Sequence, residues 1–89
     1  MNEFVGKVVV SAESKKRFVL TSITAVEITA RAENLNDCGV YDTYSWSTLN
    51  SDPIIRGQLI FEDASLKEAF IKKSFIRTEI NRCYYCLAT

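Results

Sequence analysis

An α+β fold, with about five antiparallel strands followed by a C-terminal helix, is predicted by three features of the 89-residue chain. Residues 4–61 carry β-branched and aromatic runs separated by clusters of Asn, Asp, Ser, Gly and Pro, which is the pattern of short strands and turns. Asp63-Ala64-Ser65-Leu66-Lys67-Glu68 then opens a helix, because Ser65 and Glu68 stand at the spacing of a capping box. The apolar fraction is 47%, with 3 Gly and 1 Pro, so a packed core is expected and disorder or low complexity is excluded. The length suits one domain, residues 1–89, with the sheet in 1–62 and the helix in 63–87, and no internal repeat is visible.

Phe4–Val10 is β-branched and stops at the polar cluster Ser11–Lys16, a strand and a hairpin loop. Arg17–Ile23 is the second strand. Val26–Glu33 alternates at period two, which turns Val26, Ile28, Ala30 and Ala32 to a core and Glu27, Thr29, Arg31 and Glu33 to water. After the Asn34–Gly39 loop, Tyr41–Thr48 gives a fourth strand with Tyr44 and Trp46 on one face. Asn50-Ser51-Asp52-Pro53 is a turn, and Ile54–Phe61 a fifth strand in which Gly57 marks a bulge or a close approach.

In the helix, Leu66, Ala69, Phe70, Ile76, Ile80, Cys83, Tyr84 and Leu87 fall on one broad side, with Lys73 and Arg77 projecting through its middle. Ile71 and Phe75 lie nearly opposite. Either the helix kinks near Lys72–Ser74, or an oligomer buries it on two sides.

Charge narrows the function classes. Eleven basic residues balance eleven acidic ones, whereas chains that track a nucleic-acid backbone carry a basic excess, so a polymeric nucleic acid is not the expected partner. The balance is uneven along the chain: residues 1–63 are net acidic and residues 64–89 net basic. No run has the length of a membrane span and Met1–Lys7 lacks a signal-peptide core, so a cytoplasmic protein with no membrane partner is expected. Histidine is absent, which removes the usual base for Ser and Cys nucleophiles and a common metal ligand. Three cysteines, an odd number, suit free thiols in a reducing compartment. Cys83-Tyr84-Tyr85-Cys86 has redox and zinc spacing, but it lies near a helix end, where the dipole opposes thiolate formation, and zinc would need Cys38 with a carboxylate or a second subunit. Adjacent Glu62 and Asp63 point to opposite faces of a strand end, so helix-start electrostatics accounts for them better than acid–base catalysis.

The sharper constellation is cationic and aromatic. Arg17, Arg56, Lys73 and Arg77 supply phosphate donors, and Tyr41, Tyr44, Trp46 and Phe70 supply rings on which a base could stack. The bland reading is that these cations are solvated stems over apolar surface.

Gly6–Val9, Arg17–Ala25, Asn50–Ile54 and Gly57–Leu66 together look like small phage-encoded proteins built from a β-sheet and a C-terminal helix. Among these the chain most resembles the anti-Thoeris sponge family, which binds cyclic ADP-ribose signals of bacterial immune sensors and withholds them from their effector. The resemblance implies a ligand at a subunit interface, with Arg17 and Arg77 contacting phosphates. The expectation is therefore a homo-oligomeric, non-catalytic viral protein for evasion of host defence, sequestering a small cyclic nucleotide in the host cytoplasm without a cofactor. Its ligand-binding residues are expected to be Arg17, Tyr41, Arg56, Phe70, Lys73 and Arg77. The alternative is a phage or mobile-element interaction module that inhibits a host protein by direct contact, and an enzyme acting on a nucleotide is a distant third.

Overall fold

The computed structural model of the chain describes residues 2–73. Expectations that rest on Phe75, Ile76, Arg77 and the Cys83–Cys86 pair, together with the continuity of the helix past Lys73, lie outside the described residues. The α+β prediction is correct: five antiparallel strands are followed by a helix. They are β1 (Val8–Ser11), β2 (Arg17–Ile23), β3 (Glu27–Ala32), β4 (Thr43–Ser47) and β5 (Leu59–Phe61). The helix, α1, runs over residues 65–73.

The sheet order is β4-β3-β2-β1-β5. Strands β1 to β4 form a meander, and β5 returns to the far side of β1. Because every pairing is antiparallel, β4 and β5 run in the same direction at opposite edges. The chain between them must travel back along the sheet, and this crossover buries Pro53 and Ile54.

The crossover corrects the expected fifth strand. Residues 54–58 are turns, since Asp52 Oδ1 accepts from the Ile54 amide (2.9 Å) and the Pro53 carbonyl accepts from the Gln58 amide (2.8 Å). Drawing Ile54 inward costs the segment its extended form, and pairing resumes only at Leu59. Gly57, at φ 81°, supplies the left-handed turn residue rather than a bulge, and nothing lies within 4 Å of where its Cβ would be. The first strand is likewise shorter than expected. Asn2–Phe4 forms a 3-10 turn, and Gly6 at φ 88° reverses the chain before β1.

One face of the sheet carries the core: Phe4, Val9, Phe18, Leu20, Ile28, Ala30, Ile54, Leu59, Phe61 and Phe70. Of the positions expected to turn inward on β3, Ile28 and Ala30 do so. Val26 is exposed in the Thr24–Glu27 turn, where the Thr24 hydroxyl accepts from its amide, and Ala32 is half-buried. A register shift between Leu20 and Ser22 lets both Leu20 and Ile23 face the core despite their odd spacing.

Helix α1 is fastened by aromatic packing. The Phe70 ring lies 5.3 Å from that of Phe4 and 5.7 Å from that of Phe61, over the β1–β5 end of the core face. Its start differs from the predicted capping box. Asp63 is the cap: its Oδ1 accepts from the Ser65 amide (3.0 Å) and from the Ser65 hydroxyl (2.7 Å), placing a carboxylate at the positive end of the helix dipole. These bonds hold the Asp63 carboxyl below its ordinary value of 3.8. A group depressed in this way stabilises the fold above its unfolded pKa, and that contribution disappears as pH falls through the folded pKa. The wild-type protein is therefore expected to melt higher than Asp63→Asn at neutral pH, and the gap should close below about pH 3.8; thermal melts from pH 7 to pH 2.5 check it.

Candidate functional site

The expected ligand residues are distributed over several parts of the fold. Arg17 opens β2 on the sheet face opposite the core. Its Nε donates to both oxygens of Glu33 (3.1 and 3.0 Å), and its Nη2 lies 2.6 Å from Glu62 Oε2. The hydrogen bonds it donates to Glu33 raise its pKa, with desolvation opposing. Arg17 thus bridges the ends of β3 and β5 across β1, and its charge is answered by two carboxylates.

Lys73, on α1, meets Glu3 Oε1 at 2.9 Å and joins the helix to the N-terminal turn. The same contact holds the Glu3 carboxyl below its usual range. Phe70 is fully buried, so its ring belongs to the core and cannot stack a base in this arrangement. Tyr41 lies beneath the Arg31 guanidinium, 4.1 Å from the ring centroid, in a cation–π contact. Arg56 is exposed on the crossover turn and forms no ion pair among the described residues. Arg77 lies outside the described residues.

Clefts open on the described surface. One, about 410 Å³, is lined by Gly6, Lys7, Val8, Arg17, Glu62, Asp63 and Leu66. Its charges are already matched: Glu62 is held by Arg17, and Asp63 caps α1 near Lys7. Another, about 290 Å³, lies between the first hairpin and the crossover turn, with Trp46 as one wall.

A further cleft, about 330 Å³, has the chemistry that the sequence placed elsewhere. Lys15, Lys16, Arg17, Phe18, Ala32, Glu33, Asn34 and Tyr44 line it at one end of the sheet. Neither lysine forms an ion pair among the described residues. Lys15 is held at φ 62°, in the left-handed region, because its amide donates to the Ser11 carbonyl while the Ser11 amide donates to that of Lys16, both at 2.9 Å. The hairpin thereby carries two neighbouring ammonium groups to the cleft.

The aromatic wall follows from the position of α1. The helix packs over the β1–β5 end of the core face, so that among the described residues the β4 end has less cover. There Phe18 packs edge-on to Tyr44 (4.8 Å) and to Trp46 (5.6 Å), and Tyr44 and Trp46 are stacked at 6.4 Å. Tyr44 remains 37% exposed. Its ring is backed by other aromatics and open on the side of the cleft.

Lys15, Lys16 and Asn34 are thus site candidates that the sequence reading placed only in loops. The signal that could have found the lysines is Lys15-Lys16-Arg17, the one run of three consecutive cations in the chain. Among the described residues no group of His, Cys, Asp and Glu side chains has the arrangement of a metal site, and Cys38 is an exposed free thiol on the β3–β4 loop. No described helix is long and apolar enough to cross a membrane. The chain matches no family model, no curated protein and no solved structure.

Proposed function

We propose that this protein is a non-catalytic binding protein that sequesters a small cyclic nucleotide in the Lys15–Lys16–Tyr44 cleft. The observation that carries the reading is the juxtaposition of two ammonium groups outside any described ion pair with an exposed, stacked tyrosine ring. Ammonium groups bind phosphate oxygens by charge-assisted hydrogen bonds, and the ring offers a π-face to a base. A volume of about 330 Å³ lies at the lower end of the range for small-molecule sites. Arg17 positions Glu33 beside the lysines instead of serving as the phosphate donor, because carboxylates already occupy its guanidinium. That the ligand is an immune signal, and that the protein is phage-encoded and works in the host cytoplasm against antiviral defence, rests on the resemblance to anti-Thoeris sponges.

The test is to mix the purified protein with a panel of cyclic nucleotides that includes cyclic ADP-ribose, remove free ligand, denature the protein and analyse what is released. Recovery of an intact nucleotide in stoichiometric amount is the expected result. A converted product identifies an enzyme, and no retained nucleotide rejects the proposal.

The second reading, direct inhibition of a host protein, is favoured by the sheet face opposite the core, which no described element covers. Val8, Val10 and Val19 are only half-buried there, and Ile60 beside them is 49% exposed. Ile60→Lys should leave nucleotide binding and folding unchanged and abolish capture of a protein target if this face is the contact; calorimetry and pull-down on the same variant separate the two readings.

A further inference from the structure

The β4 edge of the sheet has the hydrogen-bond phase and the side-chain pattern for pairing with itself. In the β3–β4 ladder the Ala32 amide donates to the Asp42 carbonyl (2.8 Å) and the Thr48 amide to the Val26 carbonyl (2.9 Å). With the register Ala30↔Tyr44 and Ile28↔Trp46, the even-numbered residues of β4 direct their backbone groups toward β3. The odd-numbered ones, Thr43, Ser45 and Ser47, therefore direct theirs outward. These are exposed, β4 is the last strand on its side, and no described backbone or side chain pairs with that edge.

Among the described residues, the edge has none of the features that normally keep such a strand solitary. Thr43-Tyr44-Ser45-Trp46-Ser47 has no lysine, no proline and no charge, and its pairing with β3 has no bulge. Moreover, the segment reads nearly the same in both directions about Ser45, with hydroxyl residues at odd positions and aromatic residues at even ones.

We propose that a second copy of this chain pairs antiparallel along β4, about a two-fold axis through Ser45, to join two five-stranded sheets. In this register Ser45 faces Ser45 of the second copy, and Thr43 faces its Ser47, all as hydrogen-bonded pairs that use the outward backbone groups. Tyr44 then lies opposite Trp46 of the second copy on the aromatic face, a favourable cross-strand pairing. The flanks agree as well. Asp42 falls opposite Thr48 of the second copy, so no like charges meet. Just beyond the strand, Tyr41 and Leu49, exposed by 43% and 52%, are brought toward one another from the two copies. A strand from an unrelated protein would gain the same backbone bonds, but it would not account for this symmetry of side chains. The seam also places the Tyr44 of each cleft beside the partner copy, independently of what the cleft binds.

The experiment uses charge at the two-fold position. Ser45 is exposed and its backbone faces away from β3, so Ser45→Lys and Ser45→Glu keep the internal ladder; circular dichroism and thermal melts confirm folding. In sedimentation at about 50 μM the wild type should run at twice the chain mass. Across a hydrogen-bonded pair, Cα atoms are about 5.5 Å apart, so either variant alone sets like charges face to face. Each should dissociate at least tenfold more readily, and an equimolar mixture of the two should reform a one-to-one dimer at low salt. A wild type that stays monomeric, even if it captures a foreign extended peptide, overturns the proposal. So do single variants that dimerise as the wild type does, which would place the interface elsewhere, and monomeric variants that fail to reassociate when mixed.

Discussion

Phe70→Ala is expected to lower the unfolding free energy by about 3 to 5 kcal/mol, the usual loss when a buried phenylalanine is truncated. The ring is fully buried and touches both Phe4 and Phe61, so its removal frees α1 and the N-terminal turn together. In a domain of this size each kcal/mol shifts the melting temperature by about 4 to 8 °C, so a fall of at least about 12 °C is predicted. Urea denaturation and calorimetry measure it. The result also decides between two roles for the residue: a ring that stacked a ligand would, on truncation, cost affinity and leave the melt unchanged. Phe70→Leu should recover most of the stability, because it refills most of the apolar volume.

The second large effect is expected at the hairpin. The double variant Lys15→Gly/Lys16→Ala should weaken nucleotide binding by about two decades or more, since each charge-assisted bond is worth about 1.5 to 3 kcal/mol. Stability should move the other way. Lys15 holds a left-handed backbone conformation at φ 62°, which costs an L-residue roughly 1 to 2 kcal/mol and glycine nothing. Glycine loses more freedom on folding, by about 0.5 to 1 kcal/mol, so the net gain is up to about 1.5 kcal/mol. Isothermal calorimetry beside a thermal melt gives both numbers on one sample. An affinity equal to that of the wild type would remove the lysines from the site, and a lower melting point would show that the Lys15 side chain supports the hairpin.

Strands β2, β3 and β4 were legible because their signals are local. Alternation at Ile28 and Ala30 and the aromatic pair Tyr44 and Trp46 place themselves on one face by period alone. Residues 54–58 were not legible. Ile54 and Ile55 have the composition of a strand, yet Ile54 is drawn into the core by a crossover whose existence depends on β5 pairing with β1. The sequence places the helix start within two residues of the observed one, but Ser65 and Asp63 both suit the cap and only the backbone path gives it to Asp63.

The candidate site divides in the same way. Lys15-Lys16-Arg17 is visible as a charge run, and Tyr44 as an exposed-strand aromatic. What the run does depends on carboxylates far along the chain: Glu33 and Glu62 neutralise Arg17, while no described carboxylate pairs with either lysine. Phe70 and Lys73 looked like ligand residues because a buried ring and an ion-paired ammonium have the same sequence signature as an exposed ring and a free one.

By itself, then, the sequence determined the α+β class, the bounds of β2, the turns at Asp52-Pro53 and the opening of α1, all of which rest on interactions between residues a few positions apart. Tertiary structure alone decided that β5 lies beside β1, that Arg17 is spent on two carboxylates, that Phe70 is core, and that β4, among the described residues, is an edge strand with its odd-numbered backbone groups outward. The physical reason is that these features depend on which distant segments meet. Loop closure varies only slowly with chain length, so many partners have similar entropic cost, and the choice is made by packing and hydrogen-bond satisfaction over the whole sheet.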